Sequence, residues 1–176
     1  MDLLGEPAPS FDDPVGLLLA CHQRIQQHCD ILERIPSYVD QKGVDEELRA
    51  AVTRILRYFD LAGPAHHADE ELVLFSWLLQ QPGFPSALRA PLRNLAEQHR
   101  LLEAAWQDLA GDLHSLIALE KPMPLRLEPF VSMNRAHIAL ENAEMFPVAR
   151  ELLDADTAKI LGMTMVQRRR EMEVAV

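Results

Sequence analysis

Aromatic side chains are scarce, at 6% of the 176 residues against 48% hydrophobic overall. Leu and Ala make up the difference, and that balance favours helices over sheets. Cysteine is scarcer still. Cys21 and Cys29 fall on one expected helix, roughly 12 Å apart along its axis, too far for a bridge within it. Neither has the C-x-x-C spacing of a redox or zinc site, so both read as free buried thiols of a reducing compartment. Positive charge is in deficit too: 17 Lys and Arg against 27 Asp and Glu leave a net charge of −10, which argues against a nucleic-acid partner. The one basic cluster, Arg168-Arg169-Arg170, lies near the end of the last expected helix and reads as a solvated helix end. No uncharged apolar run approaches membrane-spanning length. The start, Met1 to Glu6, lacks the basic-then-apolar pattern of a secretory signal. There is no phosphate-binding glycine loop and no G-x-S-x-G. These absences lead to the expectation of a single cytoplasmic domain over 1–176 that touches neither nucleic acid nor membrane.

What is present is helical periodicity. Asp12-Asp13-Pro14 is an aspartate cap with proline at the first helical position, opening a helix expected to end near Pro36. Its apolar line is Val15, Leu18, His22, Ile25, Cys29 and Leu32, while His28 falls on a neighbouring line. A second helix is expected from Asp45 to about Gln80, bent rather than broken at Gly63-Pro64. A third begins between Ser86 and Pro91, with Leu92, Leu95, His99, Leu102, Trp106, Leu109, Leu113 and Leu116 on its core line. After the turn at Lys121 to Pro124, a fourth runs from about Leu125 to Leu153, with Pro147 kinking its last turns. A fifth, capped by Asp156, covers roughly Thr157 to Glu173 and packs outside the others. The fold class expected is all-α: an up-down-up-down four-helix bundle over 12–153, an N-terminal extension over 1–11 and an additional C-terminal helix over 154–176.

Three times a histidine precedes a glutamate by four residues: His67 and Glu71, His99 and Glu103, His137 and Glu141. Each pair shares a helix face, and His22 adds a fourth helix. A lone core histidine is more often hydrogen-bonded than ligating, but three pairs plus His22, with three of the histidines on apolar lines, are not independent accidents. Buried imidazoles and carboxylates cost several kcal/mol, roughly, unless something pairs or ligates them. A two-metal site between four helices satisfies them together, and the donors admit iron, manganese or zinc. In the string His66-His67-Ala68-Asp69-Glu70-Glu71 two registers compete, His66 with Glu70 or His67 with Glu71, and spacing alone does not choose. Glu144 and His114 read as solvated or structural.

With His22 in "LLACHQRI", "HHADEELVLF" from His66 to Phe75, His99 in "EQHRLLE" and "HIALENAEMFP" from His137 to Pro147, nearly the whole chain resembles the hemerythrin-like (HHE cation-binding) family. The resemblance, which includes a Leu-Phe-Pro-like exit after each metal-binding turn, implies the pairs His67/Glu71 and His137/Glu141. Ser76 stands where the family usually has proline. The resemblance further implies that Glu71 and Glu141 bridge two metals, with His22 and His67 serving one and His99 and His137 the other. Oxygen carriers have a second imidazole where this chain has Glu103, which is expected either as a ligand or as a carboxylate orienting a histidine. The implied cofactor is a pair of non-haem iron ions, oxo- or hydroxo-bridged, with manganese or zinc admissible. The implied partner is a diatomic or peroxide, and the implied function is binding or sensing oxygen, nitric oxide or reactive oxygen species. The alternative is a di-iron enzyme, either an oxidase or peroxidase-like detoxifier or a handler of iron for cluster repair. Relatives proposed for repair carry an additional N-terminal cysteine-containing domain, for which the short acidic segment before Asp12 leaves no room. The apolar Ile160, Leu161, Met163, Met165 and Val166 of the last helix are expected to be buried on the same chain or in a homodimer.

Overall fold

Asp13 accepts a hydrogen bond from the Gly16 amide at 2.8 Å, Pro14 follows it, and α1 (Pro14–Lys42) begins there. The computed structural model describes residues 11–174. Pro36 does not end α1, contrary to the reading from sequence. Its ring faces solvent, and the buried line runs past it from Ile35 to Val39. That burial offsets the missing backbone bond. The helix stops instead at Gly43, whose φ of +74° is open to glycine and whose amide bonds the Val39 carbonyl at 2.8 Å.

The second rod, α2, runs without interruption over 46–80, capped by the Asp45 carboxylate on the Leu48 amide at 2.9 Å. The expected bend at Gly63-Pro64 takes a specific form. Tyr58–Ala62 is a π turn in which the Gly63 amide reaches back to the Tyr58 carbonyl. The wider turn ends just where Pro64 has no amide to give. A second π turn spans Glu70–Phe75. Ser76, at the position where proline was expected, gives its hydroxyl to the Glu71 carbonyl at 3.0 Å and α2 continues.

A single 3-10 turn (Ser86–Leu88) leads into α3 (Arg89–Leu119), which ends on Glu120 in the left-handed region. The fourth rod, α4, covers 127–152 and carries a π turn at Glu141–Met145, so that Pro147 again follows a widened turn. It starts at Leu127 rather than Leu125, because Arg126 is tied to Asp112 and Asp108 on α3. The last helix, α5 (Ala155–Val174), is capped by Asp154, not Asp156: its carboxylate takes the Thr157 amide at 2.7 Å.

Short connections make consecutive rods antiparallel, as an up-down-up-down bundle requires. In contact, α2 lies on α3, α3 on α4 and α4 on α1, while α5 packs outside against α1 and α2. No strand occurs among the described residues, and no helix is long and apolar enough to cross a membrane. Leu161 and Met165 of α5 are buried on their own chain, whereas Ile160 and Met163 face outward. The basic cluster of α5 is not a solvated end. Arg168 and Arg169 both bind Asp69 of α2, which is fully buried.

The apolar core is split. One layer gathers Ile25, Leu32, Val52, Phe59, Trp106, Leu113 and Phe130; the other gathers Leu18, Leu74, Leu78, Leu92, Leu95, Phe146 and Met165. On α1 His22 lies between Leu18 and Ile25, and on α3 His99 lies between Leu95 and Leu102. The buried polar layer of the bundle separates the two apolar ones.

Candidate metal centre

Two buried groups of donors meet in that layer. His22, His66 and Glu70 form one; Glu70, His99, His137 and Glu141 form the other; within each group the donor atoms lie within 4.8 Å of one another. Glu70 belongs to both. Its Oε1 faces His22 Nε2 and His66 Nε2 at 3.4 Å each, while its Oε2 faces His99 Nε2 at 3.5 Å. Glu141 divides in the same way: Oε2 is 3.1 Å from His22 Nε2 and Oε1 is 3.1 Å from His137 Nε2. Each carboxylate therefore offers one oxygen to each pair of imidazoles.

The site is built from two similar halves. In α2, His66, Glu70 and Phe75 have the spacing of His137, Glu141 and Phe146 in α4. A π turn starts at each glutamate, and five residues along it complete about one full turn. Phe75 and Phe146 are thereby buried near the site, Phe75 lying parallel to the His99 ring and Phe146 to the His22 ring. The preceding helix of each half, α1 or α3, supplies the lone histidine.

The outward nitrogens are held as well. His22 Nδ1 donates to Asn142 Oδ1 at 2.7 Å, and His99 Nδ1 donates to Glu71 Oε1 at 2.7 Å. Asn142 and Glu71 each follow a shared glutamate by one residue, so each half orients the lone histidine of the other. His137 Nδ1 donates to Gln98 Oε1 at 3.0 Å. Such partners fix the ring and direct Nε2 inward.

The structure thus differs from the sequence reading on α2. Where His67 and Glu71 were expected, His66 and Glu70 enter the groups. Glu71 is one step around the helix, about 100° away, and binds His99 from behind. His67 stacks on the His99 ring at 4.0 Å without joining either group. Glu103 is exposed and makes no hydrogen bond or ion pair among the described residues, so neither role expected of it is seen. The structure brings His22, His99, His137 and Glu141 together with Glu70. Sequence reasoning missed Gln98 and Asn142 altogether. The signal for the right register was available: counting back five residues from Phe75 and from Phe146 reaches Glu70 and Glu141.

The protonation of the site follows from its crowding. Burial pushes His22 down, but the Glu141 and Glu70 carboxylates overcome it and raise the imidazole to about 10. Burial also opposes protonation of His99, and Glu70 and Glu71 outweigh it. His66 is held well below the ordinary imidazole range by burial and by the neighbouring imidazoles. Burial works against ionisation of Glu141, yet His137 and His22 hold it down. Protons thus act as counter-charges where cations could. His22 Nε2 and all four oxygens of Glu70 and Glu141 are buried without a hydrogen-bond partner. A cation between them would satisfy these atoms, so the residues present fit a metal pair.

One side of this layer is accessible. A cleft of about 580 Å³ reaches His67, Glu71 and His99 between α2 and α3, walled by Ile25, Phe59, Trp106 and Phe130. Glu103 and Asp60 also line it, and Asp60 accepts from Trp106 Nε1 at 2.8 Å. His22, His66 and Asn142 do not line this cleft.

Comparison with known proteins points to a cation-binding family. The family model described as the hemerythrin HHE cation binding domain matches residues 13–149. A protein of Haemophilus influenzae (strain ATCC 51907 / DSM 11121 / KW20 / Rd), described as "Uncharacterized protein", is 31% identical over 169 residues, covering 93% of this chain and 94% of its own length.

Proposed function

The chain belongs to the hemerythrin HHE cation-binding family, and from that premise we propose that it holds two non-haem iron ions and uses them to bind or sense oxygen, nitric oxide or a reactive oxygen species. His22 and His66 would hold one ion, with Glu70 Oε1 and Glu141 Oε2. His99 and His137 would hold the other, with Glu70 Oε2 and Glu141 Oε1. The observation that carries the reading is the division of both glutamates between two imidazole pairs. Four imidazoles and two carboxylates, with no thiolate among them, suit iron or manganese, and zinc is chemically admissible.

An iron pair so bound supplies a reversible change of oxidation state and an exchangeable position for a small ligand. The protein's part is to shape access. The cleft leads to the His99 side, which makes that side the entry for a diatomic or peroxide. Phe59, Trp106 and Phe130, packed ring against ring, form the apolar part of its wall. Glu71 holds His99 through Nδ1 and makes that imidazole a stronger donor. Asn142, an uncharged amide, does less for His22. The two halves are therefore unequal donors.

Turnover is the second reading, favoured by the size of the cleft and its acidic lining of Asp60, Glu71 and Glu103. On that reading an oxidase- or peroxidase-like reaction consumes an external reductant. Metal analysis and an optical spectrum of protein purified without oxygen, then exposed to air, test both. Two irons per chain with bands that rise in air and reverse on removing oxygen would support binding or sensing. Bands that persist, with oxidant consumed catalytically, would support turnover. Zinc, or no metal after iron supplementation, would overturn the iron reading.

A further inference from the structure

Asp69 is the residue immediately before the shared Glu70 and three after His66, and it is fully buried. Its carboxylate turns away from the donor groups toward α5. Arg168 Nη2 donates to Oδ1 at 2.6 Å, and Arg169 Nε donates to Oδ2 at 2.7 Å. Arg168 Nη2 also donates to the carbonyl of Ala65, the residue before His66, at 2.7 Å. Two arginines thus bracket the turn that carries His66 and Glu70, gripping its backbone on one side and its buried carboxylate on the other. These are charge-assisted bonds in a water-poor setting, the strong kind.

The grip is not something the bundle needs in each half. The residue matching Asp69 in α4, one before Glu141, is Leu140, and no arginine holds it. The arginines also lie beyond residues 13–149, the extent of the family match. At its inner face α5 packs Leu161 and Met165 into the bundle and sets Arg168 and Arg169 on Asp69, so its position and that of the Glu70 turn depend on each other.

We propose that Arg168, Arg169 and Asp69 are positioning residues of the metal centre, through which docking of α5 and metal occupancy of the His22/His66/Glu70 group favour one another. This rests on the two-metal reading above. Coupling of this kind is reciprocal: whatever α5 adds to metal affinity, metal returns to α5 docking. The state of the metal pair is thereby passed to the outer surface of α5, where Ile160 and Met163 are exposed.

Two measurements on the full-length chain test this. The first is an anaerobic titration with ferrous iron of the natural chain, Arg168→Ala and Arg168→Lys. The alanine variant leaves Arg169 on Asp69, and it should lose at least tenfold in affinity for the ion of the His22/His66/Glu70 group, with a smaller loss for the other, which shares Glu70. Arg168→Lys, which retains the charge, should recover part of the loss. The second, which needs no variant, is amide exchange over 155–174 with and without iron. Iron should slow exchange in the natural chain and do so much less in Arg168→Ala. Unchanged iron affinity in Arg168→Ala, or exchange in α5 that ignores iron in the natural chain, overturns the proposal while leaving the two-metal reading intact. A natural chain that binds no metal overturns both.

Discussion

At the scale of single residues, the contest lies between neighbours. Glu70 and Glu71 differ by one step of helix, yet Glu70 is fully buried between four imidazoles while Glu71 stands behind His99 at the cleft. Replacing Glu70 with alanine should bring iron well below two per chain by elemental analysis, because both groups lose an oxygen. Glu71→Gln should still bind two at saturating iron, with affinity lowered about ten- to a hundredfold, the usual effect of weakening a partner behind a ligand. A Glu70→Ala protein that stays fully loaded would reverse the assignment of the two glutamates. Cys29 belongs to the same scale. Burial pushes its thiol up to about 12, so it should resist alkylation at neutral pH until the chain is unfolded.

At the scale of elements, the unusual parts of this bundle are its π turns. Two begin at the shared glutamates and two are followed closely by proline. The apolar spacing of α1 and α3 was legible in the sequence, because every core residue there follows one helical period. The register of α2 was left open by spacing, because a π turn shifts the face presented on either side of it; the resemblance selected His67 and Glu71, and the five-residue step back from Phe75 that marks Glu70 was overlooked. Pro36 misled in a simpler way: a proline does not end a helix when burial continues past it, and Val39, one turn on, is buried. Helix starts make a prediction of their own. Asp45 is held below the usual carboxylate range by the Leu48 amide and Tyr38, and Asp154 by Thr157. A depressed carboxylate contributes stability that is present above its unfolded value and lost as pH falls through its folded one. Amide exchange at the first turns of α2 and α5 should therefore accelerate below about pH 4, before the helix interiors respond. Interiors that open at the same pH would show that these caps do not hold the ends separately.

At the scale of the whole molecule, a polar layer crosses the bundle between two apolar ones, and its cost is the reason metal should matter to stability. A cation that binds the folded chain alone stabilises it by about 2.7 kcal/mol for each site held at a hundred times its dissociation constant. Iron under anaerobic conditions should raise the melting temperature and a chelator should lower it again, measured by circular dichroism. A melting temperature indifferent to both would mean that the buried carboxylates and imidazoles are satisfied by their protons alone.

The sequence by itself determined the helical class, the four-rod organisation with a fifth helix, and the family resemblance. Each follows from period, caps and residue chemistry within one segment. Tertiary structure decided the partner of His22 at Asn142, the work of Glu71 behind His99, the exposure of Glu103 and the fate of Arg168 and Arg169. None of these is a property of a segment. A side chain on a helix surface acquires its role from whichever rod is packed against it. Here a buried Asp69 on α2 turned an apparent solvated tail into a pair of docked arginines.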